Sequence, residues 1–237
     1  MINGQKLWTS GAHVSTHVWL AARTNPAAPK HAGISMFIVP LDAPGVTIRP
    51  VHTYAGWRTN EVFFDDVRVG GDALIGKEDR GWYIAANALD HERVSIGGYA
   101  ELARSYEILL AHLREHRPEL LSEPQVRVRL AELMVELHTV RALTLTNASM
   151  IARGETPTMQ ASMVKVASSE FRYHLGSAAM DLLGRYGVLS AASGEIAPAE
   201  GRFDNLYRRS PILRFGGGAN ELQRSIIAQR GLGLPRK

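Results

Sequence analysis

The amino-acid sequence predicts an α+β fold, a small antiparallel β-barrel-like domain followed by an antiparallel four-helix bundle. Three observations predict it. Up to Val69 the chain is a series of short β-branched or aromatic runs broken by turn formers. From Gly81 onward the apolar residues recur at helical spacing. Between the two, Gly70-Gly71-Asp72 and Gly76 interrupt both patterns. The expected domains are therefore residues 1–70, a linker over 71–80, and a helical domain over 81–237.

In the front part, strands are expected over His17 to Ala22, Gly33 to Val39, Gly45 to Pro50 and Glu61 to Val69. The Pro/Ala stretch from Asn25 to Lys30 reads as a hairpin loop between the first two. The last run alternates imperfectly, with Val62, Phe64 and Val69 apolar between polar neighbours, as in a half-buried antiparallel strand.

In the back part, Ile84, Ala88, Leu89 and Ile96 begin a face continued by Leu102, Tyr106, Leu109, Leu110 and Leu113. This predicts one long helix, kinked at Gly97-Gly98 and stopped by Pro118. A second helix opens with Ser122 as cap and Pro124 in its first turn, carries Leu130, Leu133, Met134, Leu137, Val140 and Ile151 inward, and closes at Gly154. Thr156-Pro157 caps a third, whose buried side holds Met159, Met163, Val166, Phe171, Leu175, Ala178, Leu182 and Leu183. A fourth runs from Asn220 through Leu222, Ile226 and Ile227 to Gly231. Short connections between successive helices imply an antiparallel bundle.

Composition narrows the function. With no cysteine among 237 residues, disulfides, thiolate metal sites and thiol catalysis are excluded. No window approaches the roughly 18 apolar residues of a membrane span, and the first residues lack a signal peptide's apolar run, so a cytoplasmic protein is expected. A formal charge of +4 suits a phosphate-bearing ligand, but the scattered basic residues do not make a nucleic-acid face. No dinucleotide fingerprint, P-loop, nucleophile elbow or paired-histidine metal motif is present, and no metal is expected.

Three local features remain, each with a functional and a purely structural reading. Lys6-Leu7-Trp8-Thr9-Ser10-Gly11-Ala12 leaves a strand for a loop; Trp8 either stacks on a planar ligand whose edge a hydroxyl can reach, or is a packed indole. Asp90-His91-Glu92-Arg93 sets a carboxylate beside a permanent cation, either as a buried base or as a solvated helix face. Phe215-Gly216-Gly217-Gly218-Ala219-Asn220-Glu221 runs glycines into a helix start, which favours an anion or is a flexible connector capped by Asn220.

Taken in order, these segments resemble the acyl-CoA dehydrogenase family over essentially the whole chain. Residues 3–11 are similar to the segment that opens the family's middle β-domain, and Arg58-Thr59-Asn60-Glu61-Val62-Phe63-Phe64-Asp65-Asp66-Val67-Arg68-Val69 to its closing strand. Leu89-Asp90-His91-Glu92-Arg93 resembles the start of the C-terminal bundle, and Ala219-Asn220-Glu221-Leu222-Gln223-Arg224-Ser225-Ile226-Ile227-Ala228 the last helix. The resemblance implies FAD as cofactor, with Trp8 against the isoalloxazine and the Ser10 hydroxyl near its N5 edge. It implies α,β-desaturation of an acyl-CoA in fatty acid or lipid metabolism, with electrons passed to an electron-transfer flavoprotein. Ala219, Asn220 and Glu221 fall in the family's cofactor-binding segment.

Departures refine that expectation. Most members carry the catalytic glutamate in a loop before the last helix, where this chain has Gly217. A minority place it on the bundle's first helix beside an arginine, which here is Glu92 next to Arg93, so Glu92 is the expected base. Gly217 and Gly218 leave room for a branched or bulky acyl group, and Arg93 joins them as a substrate-binding residue. Arg114 and Arg117 stand in for the family's phosphate-binding Arg-x-x-Phe-Gly segment, and Gly184 falls in its adenine-end glycine segment. Because those segments serve flavin across a subunit interface, a homo- or hetero-oligomer, dimer or tetramer, is expected. The family's N-terminal helical domain has no counterpart in this sequence, which is expected to be truncated or completed by another chain. Two alternatives stand beside the dehydrogenase: a non-catalytic or partial subunit of a hetero-oligomer, and an acyl-CoA oxidase or flavin monooxygenase on the same fold.

Overall fold

The computed structural model describes residues 1–95 and 98–235, with the backbone alone for residues 90–95. The chain divides into two compact units, Met1–Leu89 and Asp90–Lys237.

The first unit holds two three-stranded antiparallel sheets. One orders β1 (Ile2–Lys6), β5 (Arg58–Val67) and β4 (Val46–His52); the other orders β2 (His17–Arg23), β3 (Ile34–Pro40) and β6 (Leu74–Ile75). β2 and β3 pair in unbroken register from His17↔Pro40 to Arg23↔Ile34, with the Pro/Ala stretch as their hairpin loop. Strands β1 and β6 extend the set read from sequence, and β5 starts earlier, at Arg58. The two sheets share one core: Leu20 and Val39 come from one, and Val62, Phe64 and Val67 from the other.

The imperfect alternation of β5 is a bulge. Register slips between Ile2↔Val67 and Gly4↔Phe64, and Asp66 takes a positive φ of 50°. The extra residue keeps Asp65 and Asp66 in solvent and returns Val67 to the core at 0% exposure. Asn3 latches it, accepting from the Asp66 N–H at 2.8 Å and donating Nδ2–H to Asp66 Oδ1 at 2.9 Å. Val69 lies past the end of β5 and is only partly buried.

Helix α1 (Gly81–Ser95) starts in the first unit and ends in the second. It starts at a glycine because a Cβ on Gly81 would meet the Ser35 carbonyl carbon at 2.7 Å. The long first helix expected from sequence is instead two. Gly98 takes a left-handed conformation (φ 47°, ψ 31°) and α2 (Tyr99–His116) begins after it. Gly97, the other half of the expected kink, lies outside the described residues, as does Ile96. Leu89, expected on the buried face, is 41% exposed.

In the second unit, α2, α3 (Pro124–Ala152), α4 (Thr158–Leu183) and α5 (Arg202–Phe215) pack around one core that includes Leu109, Leu113, Leu133, Val140, Phe171 and Leu175. The Tyr106 hydroxyl, on α2, donates to the Leu130 carbonyl of α3 at 2.8 Å. Ile151 is exposed rather than part of the α3 stripe. Neither Ser122 nor Thr156 is a cap: the N-cap positions are Glu123 and Pro157, without side-chain hydrogen bonds.

Helix α5 is absent from the sequence expectation. It is rich in arginine and contains Pro211, which cannot supply the N–H that the Tyr207 carbonyl would otherwise accept. The Ser210 hydroxyl donates to that carbonyl at 2.8 Å instead. α6 (Asn220–Ile226) follows and runs into a π turn over Ile227–Gly231. Among the described residues, no helix is long and apolar enough to cross a membrane.

Candidate functional site

In the first unit the chain leaves β1 through Trp8, which is 62% exposed and held at φ +64°. A bulky non-glycine residue in the left-handed region is strained, and the surroundings must hold it there. Asn60 does so. Fully buried on β5, it donates Nδ2–H to the Thr9 carbonyl at 2.9 Å, while its own carbonyl accepts the Thr9 N–H at 2.9 Å. Arg58 Nε donates to Asn60 Oδ1 at 3.0 Å, fixing the amide. The Ser10 N–H turns back to the Trp8 carbonyl at 3.0 Å, leaving Ser10 exposed two residues beyond the indole. An apolar ring therefore stands in solvent on an anchored turn, with a hydroxyl beside it in sequence. That arrangement fits the flat face and polar edge of a flavin.

In the second unit the glycine run joins α5 to α6. Gly217 and Gly218 have φ of +67° and +97°, and neither has a side chain with which to hold the turn. Its ends are fixed from beneath by Lys165, buried on α4 at 0% exposure. Lys165 Nζ donates to the Arg214 carbonyl at 3.0 Å and to Asn220 Oδ1 at 2.6 Å. The Asn220 amide also donates to Ser169 Oγ at 3.0 Å and Glu170 Oε1 at 3.3 Å, so this side chain is engaged inside the protein. Glu170 is paired with Arg224 at 2.6 Å. Burial pulls the Lys165 ammonium down to about 8, against the opposing pull of Glu221 and Glu170. Ala219 is partly buried and Glu221 exposed.

A cleft of about 430 Å³ opens at the other end of the bundle, lined among others by His112, His116, Arg117, Tyr186 and Glu195. Arg117 is ion-paired with Glu119 at 2.6 Å. Arg114 lies exposed three residues away, and Gly184 closes α4 with φ +54°. Burial, then the neighbouring His116, lowers the pKa of His112. From Lys165 to Leu183 along α4 is roughly 27 Å at helical rise, so the expected cofactor residues of this unit fall at two separate places. The side chains of Glu92 and Arg93 lie outside the described residues; their backbone is helical, within α1.

Asn60, Lys165, Ser169 and Gln223 were not singled out from sequence. A signal existed for Lys165, a lone cation on the inward face of α4 among Ser162, Ser168 and Ser169.

Comparison with known proteins now decides the family. The model of the acyl-CoA dehydrogenase C-terminal domain matches residues 79–232, and that of the middle domain residues 1–67. The chain belongs to the acyl-CoA dehydrogenase family. It is 37% identical over its whole length to acyl-CoA dehydrogenase IpdE1 of Mycobacterium tuberculosis, covering 60% of that protein. It is 36% identical to acyl-CoA dehydrogenase FadE26 of the same organism, covering 61%. Among solved structures it is similar to the Tcur3481-Tcur3483 steroid ACAD, with a TM-score of 0.94 and 32% identity over 99% of this chain and 61% of that one. It is also similar to a chain of the ChsE4-ChsE5 complex from Mycobacterium tuberculosis (TM-score 0.90, 35% identity, 99% and 61% covered). The chain thus spans about three fifths of the length of these acyl-CoA dehydrogenases.

Proposed function

We propose that this chain forms the flavin-facing β-domain (residues 1–70), a linker (71–80) and the base-bearing bundle (81–237) of an FAD-dependent acyl-CoA dehydrogenase. The observation that carries the reading is Trp8, an exposed indole at a left-handed φ of +64° anchored by a buried Asn60. Membership of the acyl-CoA dehydrogenase family supports it. Trp8 and Ser10 hold the isoalloxazine in this reading. Arg114, Arg117 and Gly184 would hold the phosphate and adenine end, and Ala219 and Glu221 the second cofactor segment, whose start the buried Asn220 side chain fixes from inside the protein. FAD, when bound, supplies the two-electron acceptor for the substrate's β-hydrogen.

The protein's own part is alignment and proton transfer. The Glu92 carboxylate takes the α-proton of the thioester, and Arg93 serves as a substrate-binding residue in this reading. Gly217 replaces the loop glutamate, and with Gly218 it leaves space for a branched or bulky acyl chain. The similarity to the Tcur3481-Tcur3483 steroid ACAD favours the bulky alternative. Electrons pass to an electron-transfer flavoprotein, and the setting is cytoplasmic. A second reading, as a partial subunit of a heteromeric dehydrogenase, is favoured by the similarity to the ChsE4-ChsE5 complex.

The deciding experiment is anaerobic addition of a panel of acyl-CoAs to the purified protein, followed by its visible spectrum. Flavin absorbance is expected to bleach with a cognate acyl-CoA. In Glu92→Gln the bleaching rate should fall by about 10² or more, as loss of a general base requires. Equal bleaching in both proteins removes Glu92 as base; absence of bound or reconstitutable flavin removes the reading.

A further inference from the structure

The strongest feature outside the assigned machinery is the buried cation beneath the glycine run. The last carbonyls of a helix have no partner within it, and the Arg214 carbonyl lies in the final turn of α5. Lys165 reaches up from α4 and donates to that carbonyl and to Asn220 Oδ1, the first residue of α6. One ammonium thus ties down both ends of a segment whose middle is three glycines. The centre has one further tether, Gln223 Nε2–H to the Gly217 carbonyl at 3.3 Å, and that amide's own Oε1 is buried without a partner. The loop is under-held from above and pinned from below.

We propose that Lys165 is a positioning residue that sets the shape of the Gly216–Gly218 loop and, through it, the acyl-group preference of the enzyme. The second half of this statement rests on the dehydrogenase reading above. Lys165 does not touch the reacting atoms; it fixes the ends between which the loop must span. Without the Lys165 side-chain nitrogen the Arg214 carbonyl loses this partner, and the loop then samples other shapes. Affinity for bulky acyl chains changes, while proton transfer at Glu92 does not.

The charge on Lys165 supplies a readout that a mere space-filling role would lack. The groups facing it are Glu221 on α6, Glu170 on α4 and Arg214 on α5, with Arg224 of α6 paired to Glu170. In the closed loop Lys165 titrates near 8, whereas water entering an open loop returns it towards 10.5. The open loop therefore binds the proton more tightly. Raising the pH from below 8 towards 10.5 favours the closed loop, where the neutral amine keeps the two N–H groups that donate to Arg214 and Asn220, and lowering it favours opening.

Hydrogen exchange of the 213–222 segment, corrected for intrinsic rates, is the test, made on the purified full protein with no ligand needed. Lys165→Met, close in volume and without the charge, is expected to raise exchange there by about tenfold, the factor for one lost buried hydrogen bond of about 1.4 kcal/mol. Its KM for a bulky acyl-CoA should change several-fold, with kcat within about twofold of wild type. In the wild type, protection of the segment should rise between pH 7 and 9.5, and this dependence should vanish in the variant. The wild-type pH series stands even if the variant does not fold. Unchanged exchange in the variant, or flat wild-type protection across that range, overturns the tether. Raised exchange with an unchanged KM overturns the role in acyl preference. Raised exchange in a protein that neither binds flavin nor turns over acyl-CoA keeps the tether and removes the dehydrogenase reading.

Discussion

Trp8 and Asn60 form a pair in which one residue stands exposed and the other holds the turn beneath it. The indole in its left-handed turn is strained, and the hydrogen bonds of Asn60 to Thr9 hold that turn in place. Trp8→Ala is expected to weaken flavin binding about tenfold, the loss of a stacking contribution near 1.4 kcal/mol, as read by flavin titration. Asn60→Ala should act differently, lowering the stability of the first unit by about 1–3 kcal/mol in denaturant unfolding, because the Thr9 carbonyl loses its buried partner. If Asn60→Ala unfolds like the wild type, the turn is held by something else. Trp8 and Ser10 could be singled out as candidates because an aromatic followed by hydroxyls at the end of a strand is a local pattern, and both stand exposed. Asn60 and Lys165 were not, since each acts on a segment about fifty residues away, 51 for Thr9 and 49 for Arg214. No window of the sequence contains both partners.

The elements that were legible are those with a clean period. β2 to β5 and the core faces of α2, α3 and α4 follow from alternation and from i, i+3, i+4 spacing. Helix α5 breaks both rules of thumb: its proline reads as a stop and its arginines dilute the stripe. It persists because Ser210 supplies the hydrogen that Pro211 lacks and because Gly176 of α4 lets its backbone come close, a Cβ there meeting Tyr207 Cα at 3.0 Å. Ser210→Ala should therefore cost about 1 kcal/mol or somewhat more in unfolding free energy. In a Pro211→Ala background the same change should cost less, since alanine restores the N–H to the Tyr207 carbonyl. Additive costs in that double-mutant cycle would show that the hydroxyl does not substitute for the missing amide.

For the molecule as a whole, the separation along α4 matters most. The glycine-loop network and the cleft lined by Arg117 and Leu183 lie at two places roughly 27 Å apart on one bundle, while the family resemblance has the second region serving flavin across an interface. On the proposed function, a complete cofactor site then draws its phosphate-binding residues from a second protomer. Flavin should be released in step with dissociation when the protein is diluted in the ultracentrifuge, and a monomer that keeps its flavin would contradict this. Glu101 adds a pH dependence of the same sign as that of Lys165, in the acid range instead of the alkaline one. The hydrogen bond from Arg172 holds its carboxyl below 4.5, so its stabilisation is present above that value and is lost as the pH falls through the lowered one. The carboxylate is more than half exposed, so the effect is small.

The bulge in β5 has a consequence for how this chain is compared with its relatives. A strand normally tolerates no change of length, because one residue more or less turns every later side chain to the opposite face. At Asp65-Asp66 that reversal has already been absorbed, and the strand is two half-strands in different phase joined by an Asn3-latched kink. A relative lacking one residue at this point can still keep both Phe64 and Val67 inside, whereas a gap placed anywhere else in β5 would carry an aspartate into the core. Alignments of this domain should put their single-residue gaps there.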